Sequence, residues 1–174
     1  MRSKLLIAAA LMLLISGAAM AAATANVTIT VTIQSLGVSV NTPTWAIGTV
    51  ATGQSILDGS AIVITNTGNL AEDFSLAQTQ PAAWTAGTTI TGAGANVYVL
   101  AARLVASAPT VPNYVTGDVV PVAGAFCNGT LFGGGGYNVA AAGTANMWLL
   151  FNTPTSTTDY TQQTVTLTVG CQKH

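Results

Sequence analysis

The chain has 174 residues, half of them hydrophobic and 5% charged, with a formal net charge of −1. An ordinary soluble domain is about a quarter charged. So few Lys and Arg cannot neutralise a phosphate backbone, which excludes nucleic acid as a partner, and so little net charge leaves self-association almost unopposed by repulsion.

Arg2 and Lys4 precede an unbroken apolar run, Leu5 to Ile15, too short to span a bilayer as a helix. Small residues follow as far as Ala25, with A-x-A patterns ending at Ala21, Ala23 and Ala25. The pattern is that of a secretory signal peptide over residues 1–25, cut after Ala25, with Ala21 and Ala23 as alternative sites. The expected destination is the extracellular space, the cell surface or the periplasm. Cleavage would leave 149 residues, Arg103 and Lys173 against five carboxylates, and a net charge of −3. That length suits a single domain, residues 26–174. No later segment reads as a membrane span.

Period-two alternation then dominates. Asn26 to Ile33 places Val27, Ile29, Val31 and Ile33 on one face and three threonines on the other, the pattern of a half-buried strand. Leu36 to Val40 continues it until Pro43 intervenes. Further strands are expected at Ser60–Asn66, at Asp73–Gln78 with Phe74 and Leu76 inward, and at Gln163–Val169. Asn96–Val105 and Ala145–Phe151 are apolar on both faces. Ala106–Gly143 is irregular, with three prolines and the run Gly133–Gly136. A stretch of that length is functional, mobile or an insertion with strands of its own. No amphipathic helix of ten or more residues is apparent. Short strands with frequent turn signals predict an all-β fold, an immunoglobulin-like or jelly-roll β-sandwich with an irregular insertion near 106–143.

Three stretches carry a resemblance: W-A-I-G-T-V-A-T-G at Trp45–Gly53, I-V-I-T-N-T-G-N at Ile62–Asn69, and F-S-L at Phe74–Leu76 with Trp84 beyond. In that order they resemble bacterial immunoglobulin-like modules of the hydin-related type and, more loosely, secreted fibre subunits of the TasA and camelysin type. The resemblance covers Thr44–Trp84 and implies structural or binding roles, with no catalytic residues to carry over. Independently of it, Gly48 and Gly53 suit turns, Asn66 and Gly68 suit a tight connection, and Trp45 and Trp84 are the expected large core fillers.

The inventory for chemistry is thin. The one histidine, His174, is the last residue, and the carboxylates are scattered apart from Glu72–Asp73. No Ser or Cys nucleophile can be matched to a base, so no catalytic residues and no enzyme are expected. Asp58, Asp118 and Glu72–Asp73 form no recognised calcium loop and read as acidic turn residues in water; neither metal nor cofactor is expected. In an exported chain Cys127 and Cys171 read first as a disulfide, with intermolecular pairing or free thiols as alternatives.

The expected partners are therefore further copies of the chain or other surface proteins. Val27, Ile29, Val31 and Ile33 form a terminal strand that can pair at home or be donated to a neighbour's sheet. The apolar outward faces of the two long strands need cover, from Ala106–Gly143 or from another subunit. These features predict a structural subunit of an extracellular filament or surface layer. The alternative is an adhesin or carbohydrate-binding module using Tyr114, Phe126, Phe132 and Tyr137 as a contact patch.

Overall fold

Alternating sequence becomes strand where a partner edge is at hand, and the computed structural model, which describes residues 27–174, contains nine such places. The expected leader and Asn26 lie outside the described residues. The chain divides into units 1–32 and 33–174, and of the first only Val27–Thr32 is described. In chain order the strands are β1 (Val38–Val40), β2 (Ser55–Leu57), β3 (Ile62–Asn66), β4 (Glu72–Thr79), β5 (Thr85–Ala86), β6 (Val97–Leu104), β7 (Ala125–Phe126), β8 (Thr144–Asn152) and β9 (Thr166–Lys173). Short 3-10 turns at Val111–Asn113, Thr116–Asp118 and Leu131–Gly133 are the helical elements among the described residues. The fold is all-β. No helix among the described residues is long and apolar enough to cross a membrane.

The strands make two sheets. The larger runs β1-β3-β8-β6-β5, with β2 also on β8; the smaller runs β7-β4-β9. All pairings are antiparallel except the two-residue β5–β6 contact. Strands β2 and β3 flank the same side of β8, at Leu150–Asn152 and Thr144–Met147.

One core lies between the sheets. From the larger come Ile62, Ile64, Tyr98, Leu100, Leu104 and Met147, among others; from the smaller come Phe74, Leu76 and the half-buried Leu167 and Val169. Tyr98 stacks on Phe151 at 5.4 Å. Its hydroxyl donates to Gln78 Oε1 at 2.7 Å, and the Gln78 amide donates to the Val120 carbonyl. A buried tyrosine is tolerable because this chain of donors and acceptors leaves no polar end bare. Trp45 and Trp84, expected as large core fillers, are only half-buried at the margin. The Trp84 indole donates its N–H to Thr157 Oγ1 in a part-buried bond of 3.0 Å.

The two-faced strands are explained by the insertion. The even residues of β6 enter the main core, whereas Ala101 and Leu150 point the other way and meet Tyr114. Val119 bridges to Ala101, and the Val120 N–H donates to the Leu100 carbonyl. The irregular region thus covers part of the outer face of the larger sheet through Tyr114 and meets the edge of β6 through Val119 and Val120, so no other subunit is needed at those places. It also contributes β7 and Phe132, which is buried in the main core at φ 54.

This placement predicts opposite outcomes for two aromatics. Phe132→Ala should cost about 3–5 kcal/mol by opening a core cavity. Phe126→Ala, at an exposed position of β7, should stay within about 0.5 kcal/mol. Urea unfolding of both variants checks the difference.

Candidate functional site

The most telling segment is the arm Val27–Ile33. Val27, Ile29, Val31 and Ile33 are 78–86% exposed, and among the described residues no strand precedes Val38. The expectation of a strand at 26–33 within the molecule's own sheets is therefore corrected. A strand needs a second edge to pair with, and none of the described strands is bonded to this segment.

The root of the arm is clamped. Asn69 takes the Ser35 N–H on Oδ1 at 2.9 Å, donates its amide to the Ile33 carbonyl at 2.7 Å, and bonds Ser35 again through its own N–H. Asn66, fully buried, caps the same turn: Oδ1 accepts from Gly68, and its amide donates to the Leu70 and Val139 carbonyls. A Cβ at Gly68 would stand 2.5 Å from the Ser35 carbonyl oxygen, so glycine is required for the close approach. The N-T-G-N stretch is the device that holds Ile33 and Ser35 against the turn between β3 and β4.

The carboxylates are placed unlike the expectation. Asp58, Glu72, Asp73 and Asp118 are buried rather than acidic turn residues in water. Each accepts a backbone N–H: Asp58 from Leu149, Glu72 from Gly37, Asp73 from Asn138 and Asp118 from Val115, all at 2.9 Å. Asp58 fills the break between β2 and β3, where β8 would otherwise lack an acceptor. Burial pushes its pKa up to about 6, against the lowering effect of the Leu149 bond. Burial likewise raises Asp118, offset in part by Val115 and by Arg103 at 3.8 Å. For Asp73, burial is outweighed by the Asn138 N–H and by His174, whose Nδ1 lies 2.8 Å away, and the carboxyl is held below its usual range. No such residue appeared as buried in the sequence, because a single carboxylate flanking a strand looks the same whether its target is water or a peptide N–H.

Cys127 and Cys171 are free thiols, and the register gives the reason. Cys171 lies opposite Phe74 on one side of β4, and the Cys127 N–H bonds the Phe74 carbonyl from the other side. Two strand spacings separate them, about 10 Å, and a disulfide needs Cα atoms within about 7 Å. Burial pushes the Cys127 thiol up to about 12. Burial and the neighbouring Glu72 carboxylate raise Cys171. Neither is poised as a nucleophile at neutral pH.

The four loop aromatics do not form one patch. Tyr114 and Phe132 are buried, in different clusters; Phe126 and Tyr137 are 44% exposed. Tyr137 packs edge-on against His174 at 4.7 Å. Tyr114 also borders an open cleft of about 440 Å³ with Gln54, Ile90, Asn152 and Thr153, which contains no ionisable side chain except that tyrosine. Among the described residues no three His, Cys, Asp or Glu side chains gather as a metal-binding group.

Comparison with protein-family models, with curated proteins and with solved structures finds no match.

Asp58 gives the site a pH signature. Its folded pKa lies above its unfolded value, so the folded state binds more protons between the two, and its contribution to stability falls as pH rises from about 4 to about 6. Asp58→Asn keeps an acceptor for Leu149 and removes the titration. Relative to the variant, the native chain should lose on the order of 1–3 kcal/mol across that window, measured by denaturant unfolding at each pH.

Proposed function

We propose that the exported chain is a structural subunit of an extracellular filament or cell-surface layer, which assembles by adding its N-terminal arm to the sheet of a neighbour. The fold is read as an immunoglobulin-like or jelly-roll sandwich of the hydin-related type, and its role as non-catalytic. The observation that carries the assembly reading is the arm. Four branched aliphatic side chains in strict alternation stand exposed, on a segment without a single charge, at a root that the Asn69 clamp holds in place.

The energetics favour a partner. Burying one Val or Ile side chain is worth about 1.5–3 kcal/mol, so four give roughly 6–12 kcal/mol. Association costs about 4–15 kcal/mol. Side-chain burial alone barely meets that cost, so a stable polymer also needs a backbone ladder between arm and acceptor. A mature net charge near −3 adds little repulsion between stacked copies.

Deleting residues 26–33 from the mature protein should abolish polymer while leaving a monomer with the native melting transition. Electron microscopy and sedimentation of the secreted protein check it. A native protein that stays monomeric at high concentration defeats the reading.

A further inference from the structure

Strand addition requires an acceptor edge. Among the described residues the free edges are short: β1 and β2 have three residues each, and β5 and β7 have two. The far side of β6 is covered by bonds from Val120 and Gly135, and that of β4 by β7, Gly136 and Val139. Strand β9 is different. It ends the smaller sheet, runs eight residues, and contains no proline and no charge before Lys173. Exposed edges are ordinarily blunted by short length, Pro, Lys or a bulge; Thr166–Gln172 shows none of these.

The hydrogen-bond parity of β4 shows which β9 groups face outward. Glu72 exchanges bonds with Val139, Phe74 with Gly136 and Cys127, and Gln78 donates to Pro121. Even-numbered β4 residues therefore turn their peptides away from β9, and odd ones turn toward it. The His174 N–H on the Ala71 carbonyl fits the same parity. With Ser75 opposite Gly170 and Ala77 opposite Thr168, the even β9 residues bond β4. Leu167, Val169 and Cys171 direct their N–H and C=O groups to the open side.

The geometry points to this open edge of β9 as the acceptor for the arm of a second copy, Val27–Ile33, which turns the three-stranded sheet into a four-stranded one. The inference rests on the assembly reading above and names its partner surface. Length agrees: seven arm residues extend about 23 Å and eight β9 residues about 26 Å. Chemistry agrees as well. Val165, Leu167 and Val169 are half-buried against the core, and Thr164, Thr166 and Thr168 are exposed. The arm repeats that alternation, so its Val and Ile side chains complete the cover over the core while its threonines pair with threonines on the outer face. Neither strand brings a charge into the ladder before Lys173.

Two experiments on the full mature protein test it. Val169→Pro removes one outward N–H and leaves the β4 ladder intact. It should keep the native melting transition and reduce sedimentable polymer by roughly tenfold or more. Separately, Thr28→Cys, Thr30→Cys or Thr32→Cys is mixed with Thr168→Cys under mild oxidation, and the linked peptides are mapped. At least one arm position should join Thr168→Cys between different chains. The cross-link decides the matter should the proline variant fail to fold. Polymer at native yield from folded Val169→Pro would overturn the assignment. So would polymer whose arm cysteines link to Ser39→Cys on β1 instead, or Thr168→Cys pairing only with itself, which marks edge-to-edge dimers. In those cases loss of polymer on arm deletion still upholds the filament reading. Polymer unaffected by arm deletion removes both.

Discussion

The structure depends on how it satisfies peptide N–H groups where its strands break. Every carboxylate in the described chain accepts one: Asp58, Glu72, Asp73 and Asp118 at buried positions, and Asp159 from Thr161 at the surface. Asparagines do the same at Val63, Gly68, Ser35 and Thr158. A buried, unpaired peptide group costs about 1–3 kcal/mol, so a two-sheet protein with long irregular connections needs such acceptors. Here they account for all of the negative charge.

That economy shapes the two sheets unequally. The larger sheet packs one face on the common core and has part of the other under Tyr114, while Val119 bridges to the edge of β6. The smaller sheet has three strands over the same core, and its last strand keeps Leu167 and Val169 only half-buried. Insertion residues were used where a sheet face needed cover, and none were used along β9. The clamp at Asn69 likewise fixes the arm's root and gives its seven residues no partner strand. An uncovered edge and an unpaired strand in one chain are complementary shortages, and each is of the kind the other can meet.

The long strands were legible because alternation is a property of neighbouring residues. Asp73–Gln78, Asn96–Val105 and Ala145–Phe151 fall within two residues of β4, β6 and β8. Gln163–Val169 finds β9 but begins three residues early and stops four short, because Gly170 and Cys171 break the Val/Leu–Thr alternation. Strands β2, β5 and β7 are two or three residues long and owe their existence to the partner strand, which no local pattern announces. The insertion's course over the outer face was legible only as a need for cover. The cysteine pairing and the acids failed for a shared reason. Proximity in three dimensions is set by sheet order, and sheet order places β4 between the two thiols and puts backbone N–H groups within reach of the carboxylates.

The arm shows a further limit of sequence periodicity. Val27–Ile33 is as cleanly alternating as any strand in the chain, yet it is paired with none of the described strands. Periodicity reports that a segment can be a strand with one buried face; it does not report whose core that face will meet. When the best-patterned segment of a protein is also its most exposed, the missing partner is the physical question the sequence poses. Here the same sequence also supplies a matching edge: eight residues long, without charge before Lys173, and of the same alternation as far as Val169. Such an edge would be an aggregation hazard in a protein meant to remain alone. In a protein meant to polymerise, the specificity must come from the alternation itself, because a one-residue slip would turn the arm's threonines toward the core and its aliphatic side chains toward water.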